Sequence, residues 1–400
     1  MARLEVSDIL NRYGEQYAQK HKLSAQQSRV IGALTKCRTA DLGGHVSVCN
    51  ECGVTKVFYN SCRDRHCPKC QSLAREQWLD KRRAELLPVQ HYHLVFTVPP
   101  ALNELLRYNE RVGYSELFGQ AWSALRTLCA EEKYLGARPG MLAVLHTWGQ
   151  NLHYHPHVHA LVPAGGLSFD DKRWRRPKYK NYLVPVKALS RLFRGRLVAA
   201  LRQRYVNKEL VLPPGTSLRN ILDAAMAKDW VVYAKEPFAG PAKLLNYLGR
   251  YIKRIAISND RLIDMTNDRV RFYYRDYADH NRSKVMDLAS EEFIRRFLQH
   301  VLPAGFCKVR YYGLLAIRNR SRRLQLCHRL LGHRYKPAAK KSWIELLIQV
   351  TGQDPQQCPD CKSGRLMVVD HLIPKVGSRA PPRLIRRSDL QQLKPTTPTL

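Results

Sequence analysis

The sequence predicts an α+β protein in which neighbouring strands pair antiparallel, preceded by a small zinc ribbon. Three observations carry this. Short apolar stretches with alternating faces, at 91–98, 141–150 and 153–162, lie between segments of helical period. The last two are joined by a short link, and strands so linked usually pair antiparallel. Ahead of them come two cysteine pairs with metal-ligand spacing, Cys49-Asn50-Glu51-Cys52 and Cys67-Pro68-Lys69-Cys70.

Composition narrows the function classes. Four hundred residues leave room for two or three domains, and 67 Lys+Arg against 33 Asp+Glu give a formal charge of +34. Such an excess repels itself unless the partner is a polyanion, so nucleic acid is the first expectation and an anionic membrane surface the second. There is no apolar run long enough to span a bilayer and no signal-peptide stretch, so a cytoplasmic location with no membrane partner is expected. Eleven cysteines in that compartment read as metal ligands more readily than as disulfides.

Residues 1–36 read as a helical lead-in, with Ile9, Leu10, Tyr13 and Tyr17 and then Val30, Ile31 and Leu34 at helical spacing. A zinc-binding segment over 37–88 follows. Cys49, Cys52, Cys67 and Cys70 are the expected ligands, with His45, Cys62 and His66 as substitutes or supporting groups. Four thiolates leave no position open for water, so the Zn2+ is structural and presents Arg63, Arg65 and Lys69 to a phosphate backbone. A helix over 71–87 ends at Pro88. The strand at 91–98 contains His91 and His93, either of which could reach a metal on a neighbouring strand; a helix is then expected over 101–133.

The strand at 153–162 holds His157-Val158-His159. Histidines two apart in an extended segment lie on one side of the sheet, roughly 7 Å apart, and both imidazoles can reach one metal ion, while Val158 points into the core. His153 and His155 share that parity, although Pro156 cannot donate to a ladder. The basic and aromatic run at 172–180 suits phosphates, with Trp174 and Tyr179 available to stack on bases. Helices over 187–206 and 217–229 and a strand over 230–235 come next. The stretch 243–254 reads as a helix with Tyr247 and Tyr251 on one face, about 6 Å of rise apart, flanked by Arg250, Lys253 and Arg254. Such a pair is ordinarily core; the histidine pair upstream changes the reading, because a phenol becomes a useful nucleophile beside a metal-polarised phosphate. Strands over 270–277, 284–288 and 308–315 and a helix over 291–301 follow. The basic segment 318–374 carries Cys358 and Cys361, half of a second zinc knuckle that Cys327 and His328 could complete, and 375–400 reads as a disordered tail.

Taken together, 49–71, His157-Val158-His159, Tyr247-Leu248-Gly249-Arg250-Tyr251 and Arg310-Tyr311-Tyr312-Gly313 resemble the rolling-circle insertion-sequence transposases with an HUH centre and two tyrosines, the insertion sequence ninety-one family. The resemblance spans nearly the whole chain. It implies an HUH endonuclease-like catalytic domain over 89–317, a central antiparallel sheet with flanking helices. It implies single-strand DNA at element ends as substrate, cleaved and rejoined through a 5′-phosphotyrosine on Tyr247 or Tyr251. His157 and His159 would hold Mg2+ or Mn2+, although imidazoles alone suit zinc better. Two other readings stand beside it: a plasmid or phage replication initiator with the same centre, and a non-catalytic zinc-dependent DNA-binding regulator.

Overall fold

The computed structural model describes residues 3–179, 182–235, 249, 256–277 and 279–375. Its helices are α1 (Val6–Lys20), α2 (Ala25–Thr35), α3 (Gln71–Glu85), α4 (Asn103–Tyr108), α5 (Glu110–Ala130), α6 (Val186–Val206), α7 (Leu218–Met226), α8 (Ser290–Leu298), α9 (Arg320–Leu330) and α10 (Trp343–Thr351). Its strands are β1 (Gly44–Cys49), β2 (Thr55–Tyr59), β3 (His91–Thr97), β4 (Gly140–Trp148), β5 (Tyr154–Pro163), β6 (Gly166–Leu167), β7 (Trp174–Arg175), β8 (Val232–Lys235), β9 (Leu262–Thr266), β10 (Arg269–Asp276), β11 (Arg282–Ala289), β12 (Val309–Gly313) and β13 (Leu366–Leu372). Two units result: Met1–Thr35 with Asp64–Gly352, and Lys36–Arg63 with Gln353–Leu400. The smaller unit thus draws on two segments far apart in sequence, with most of the larger unit between them.

The larger unit is built on a five-stranded antiparallel sheet in the order β12-β4-β5-β3-β8. Alternation gives it two chemically different faces. Phe96, Leu145, Val158 and Ala160 point to one face. There Phe193 of α6 meets Phe96 edge-on at 5.2 Å, and on the same side Trp122 of α5 stacks on Tyr312 at 5.4 Å. The opposite face carries the histidines and is covered by α3, whose Leu79 packs with Leu142, Val144 and Leu161. Arg82 and Trp78 of the same helix donate to the Tyr311 hydroxyl.

The helix expected over 101–133 is interrupted at Asn109, which leaves helical geometry at φ −127°, ψ 45°. Its amide donates to the carbonyls of Leu105 and Val211 and its side-chain oxygen accepts from the Val211 N–H, so the side chain competes with helix continuation. A second antiparallel sheet, β11-β10-β9, buries Val270 and Phe272 under α8, where Phe272 and Phe293 meet edge-on at 5.9 Å. The smaller unit is a three-stranded antiparallel sheet, β13-β1-β2. No helix among the described residues is long and apolar enough to cross a membrane.

Candidate metal centre

Register assembles the centre: a tight turn starts the hairpin and a bulge between His146 and Trp148 shifts it by one residue. Between β4 and β5 the Gly149 N–H donates to the His153 carbonyl and the Leu152 N–H to the Gly149 carbonyl. Leu152 takes φ +62°, a conformation that disfavours a branched side chain. Its burial and two bonds to its carbonyl, from Gln299 at 2.8 Å and His300 at 3.0 Å, hold it there. The resulting pairing sets His146 opposite His157 and Val144 opposite His159, on one face of the sheet.

His146, His157 and His159 are all buried, and their ligand nitrogens lie within 4.8 Å of one another. A carbonyl can only accept, so the 2.6 Å bond from His157 Nδ1 to the His155 carbonyl places the proton on Nδ1 and leaves Nε2 bare. That Nε2 stands 3.0 Å from His159 Nε2, and His159 Nδ1 lies 2.8 Å from His93 Nε2. Three imidazoles in this arrangement fit a divalent cation, since two neighbouring ligands at about 2.1 Å from one ion stand about 3.0 Å apart. With such an ion bound, His159 would carry its proton on Nδ1 and donate it to His93, an outer hydrogen bond that would fix the ring's orientation. Burial pushes His157 down to about 4 and His146 well below the ordinary imidazole range, the neighbouring histidines adding to the effect. Both are therefore uncharged near neutrality, as ligands must be.

The sequence pointed to His157 and His159; the structure sets His146 beside them. His93 stands behind His159, His91 donates to the Val89 carbonyl at 2.9 Å, and His153 is exposed beside Asn151. His155 stacks at 5.1 Å on His157, but the three-nitrogen group contains His146 instead. Tyr247, Tyr251, Arg250 and Arg254 lie outside the described residues. Gly249, which is described, is buried, and a Cβ there would stand 2.5 Å from Leu79 Cδ2 on the face that carries the histidines.

The expected four-cysteine set is corrected. Cys49 and Cys52 lie with Cys358 and Cys361, their sulfurs less than 4.8 Å apart, a set that leaves out Cys67 and Cys70. Cys327 is not the partner of Cys358: it is buried with Leu87, Leu167, Leu314 and Leu324, and burial pushes its thiol up to about 12. His66 is committed on both ring nitrogens, to Asp64 at 2.7 Å and to the Leu302 N–H at 3.2 Å, and His45 stacks on Phe58. Of the three basic residues expected to face phosphate, Arg63 is exposed, while Arg65 donates to the Phe306 carbonyl and Lys69 pairs with Glu5. Trp174 packs at the edge of the Cys327 cluster, and Tyr179 stacks on Tyr182.

The chain is similar to known proteins. A family model described as "Putative transposase" matches residues 140–323, which carry the histidine strands. A second, "Transposase zinc-binding domain", matches residues 9–98. A Sinorhizobium fredii protein named "Putative transposase y4qJ" is 46% identical over 92% of this chain and 95% of its own length. The transposase for insertion sequence element IS801 of Pseudomonas savastanoi pv. phaseolicola is 31% identical over 72% of this chain and 70% of its own. No solved structure gives a significant match. The chain belongs to the insertion sequence ninety-one family of transposases.

Proposed function

We propose that this transposase opens and rejoins single-stranded DNA at element ends by rolling-circle strand transfer, with His146, His157 and His159 holding a divalent cation and Tyr247 and Tyr251 as nucleophiles. The observation that carries the reading is the cluster of three buried imidazoles on one face of the central sheet. The ion, Mg2+ or Mn2+ by the family resemblance, supplies Lewis acidity to the scissile phosphate. A tyrosine phenol attacks phosphorus, the bond to the 3′ oxygen breaks, and the upstream strand leaves with a free 3′-OH. The downstream strand remains on the enzyme as a 5′-phosphotyrosine. One phosphodiester replaces another, so rejoining needs no nucleotide cofactor: a 3′-OH attacks the phosphotyrosine and restores the phenol. The charge of +34 supports a polyanionic substrate.

Gly249 supports the same assignment of roles. It falls between the two tyrosines in sequence, and its contact is Leu79, which is itself fixed among Leu142, Val144 and Leu161. Ala at 249 would push on a side chain that has no room to yield. Gly249→Ala is expected to lower covalent adduct formation by on the order of a hundredfold, as for a misplacement of about 1 Å. Adding Leu79→Ala should restore much of it; failure of that rescue in a folded double variant would sever Gly249 from the chemistry.

The reading as a whole is tested with a single-stranded oligonucleotide of the element end, labelled separately at each terminus and incubated with the protein and Mg2+ or Mn2+. On a denaturing gel the protein adduct should carry the 3′ label and never the 5′ label. A regulator would bind the strand and form no adduct. A replication initiator would form one but would prefer a replication origin over the element's own end.

A further inference from the structure

Among its described residues the smaller unit has little that is apolar to fold around. Its buried centre is Cys49, Cys358 and Leu366, with Val54 and Cys361 partly buried against them. Val57, Phe58, Tyr59, Met367, Val368 and Val369 are all exposed on its sheet. A unit with so little core needs a cross-link or a metal.

The sulfur geometry decides between these. Cys49 Sγ stands 3.7 Å from Cys361 Sγ, and Cys52 Sγ 3.7 Å from Cys358 Sγ. Disulfide sulfurs are about 2.05 Å apart, whereas thiolates about 2.3 Å from a tetrahedral zinc stand about 3.8 Å from each other. The backbone around the sulfurs is built twice over. The Cys49 N–H donates to the Val54 carbonyl at 3.0 Å and the Gly53 N–H to the Cys49 carbonyl at 3.1 Å. In the second knuckle the Cys358 N–H donates to the Gly364 carbonyl at 2.9 Å and the Lys362 N–H to the Cys358 carbonyl at 3.1 Å. Gly53 and Lys362, each just past the second cysteine of its pair, have φ of +71° and +59°. The N–H groups of Glu51 and Gly364 point at Cys49 Sγ, at 3.5 Å, and at Cys361 Sγ, at 3.3 Å. A Cβ on Gly364 would fall on the Cys49 sulfur.

We infer that Cys49, Cys52, Cys358 and Cys361 hold one structural zinc ion, forming a zinc ribbon whose second knuckle lies far outside the matched zinc-binding segment 9–98. The ion supplies the core that the unit lacks, and it fixes β13 beside β1, where Leu366 pairs with Cys49.

The test uses the full chain and counts zinc per polypeptide by mass spectrometry of the metal. Cys358→Ser with Cys361→Ser should lose one zinc, Cys49→Ser with Cys52→Ser should lose one, and all four together should lose one and no more. Cys361→His should keep it, because three thiolates and an imidazole are an ordinary structural set. Unchanged zinc in the Cys358/Cys361 variant, or a loss of two in the fourfold variant, overturns the site. If the serine variants do not fold, the wild type decides. Cys52 is exposed, so only a metal can shield it from an alkylating reagent. In the zinc-loaded chain Cys49, Cys52, Cys358 and Cys361 should resist alkylation, and they should become reactive together on chelation. Rapid alkylation of Cys52 before chelation would refute the assignment.

Discussion

Alanine at His146 is expected to lower strand cleavage as far as alanine at His157 or His159, on the order of a thousandfold, while single-strand affinity stays within a few-fold. The size follows from what a bound cation contributes to a phosphoryl transition state, several kcal/mol, at about 1.4 kcal/mol per tenfold in rate. Affinity should be spared because it rests on distributed positive charge, and burial keeps His146 and His157 uncharged. His93→Ala should behave differently. It removes the partner of His159 Nδ1 without removing a ligand, so it should raise the metal concentration needed for half-maximal cleavage by about 10–100-fold and be rescued by excess metal. Wild-type cleavage by His146→Ala at limiting metal would take His146 out of the ligand set and return His155 to consideration. Cleavage measured across a metal titration, with filter binding alongside, separates these outcomes.

Phenylalanine at both Tyr247 and Tyr251 should abolish the covalent adduct while leaving a folded protein that binds DNA. The substitution removes two hydroxyls and preserves ring volume, so a loss belongs to chemistry and not to packing. With no nucleophile the adduct should fall below detection, a larger effect than loss of any one metal ligand. One Phe alone should leave one cleavage competent and impair completion of transfer, because the second phenol accepts a strand while the first is still occupied. If one single variant completes transfer at the wild-type rate, the other tyrosine is the sole nucleophile. Adduct surviving in the double variant would assign the chemistry to another residue altogether.

What the sequence made legible was local. The alternation of 91–98 and 153–162, the parity of His157 and His159 and the helix ending at Pro88 all follow from contacts a few residues long, and the structure carries them as β3, β5 and α3. His146 was not legible in this way, because a lone histidine in an apolar strand is ordinarily a satisfied core residue. The turn gave no signal either: the register it starts, with Trp148 opposite Tyr154, would set Leu145 opposite His157, and only a bulge between His146 and Trp148 moves His146 into that place. The cysteine partners had no local signal. Cys52 and Cys358 are 306 residues apart, and proximity in sequence favoured the wrong pairing. The helix α10 was also missed, although Ser342 and Glu345 form a capping box at its start and Gly352, at φ +72°, ends it.

The two segments of the smaller unit flank most of the larger one in sequence, and this has a consequence for how the chain is made. At a synthesis rate of about 5–20 residues per second, Cys49 and Cys52 wait on the order of half a minute for the segment that completes their sheet. The segment of the larger unit from Asp64 to Gly352 can begin to fold in that interval, before the small sheet can close. A message cut short or a ribosome stalled before residue 361 leaves the five-stranded sheet without a completed cysteine set. Closure of that set thus reports that translation has passed residue 361.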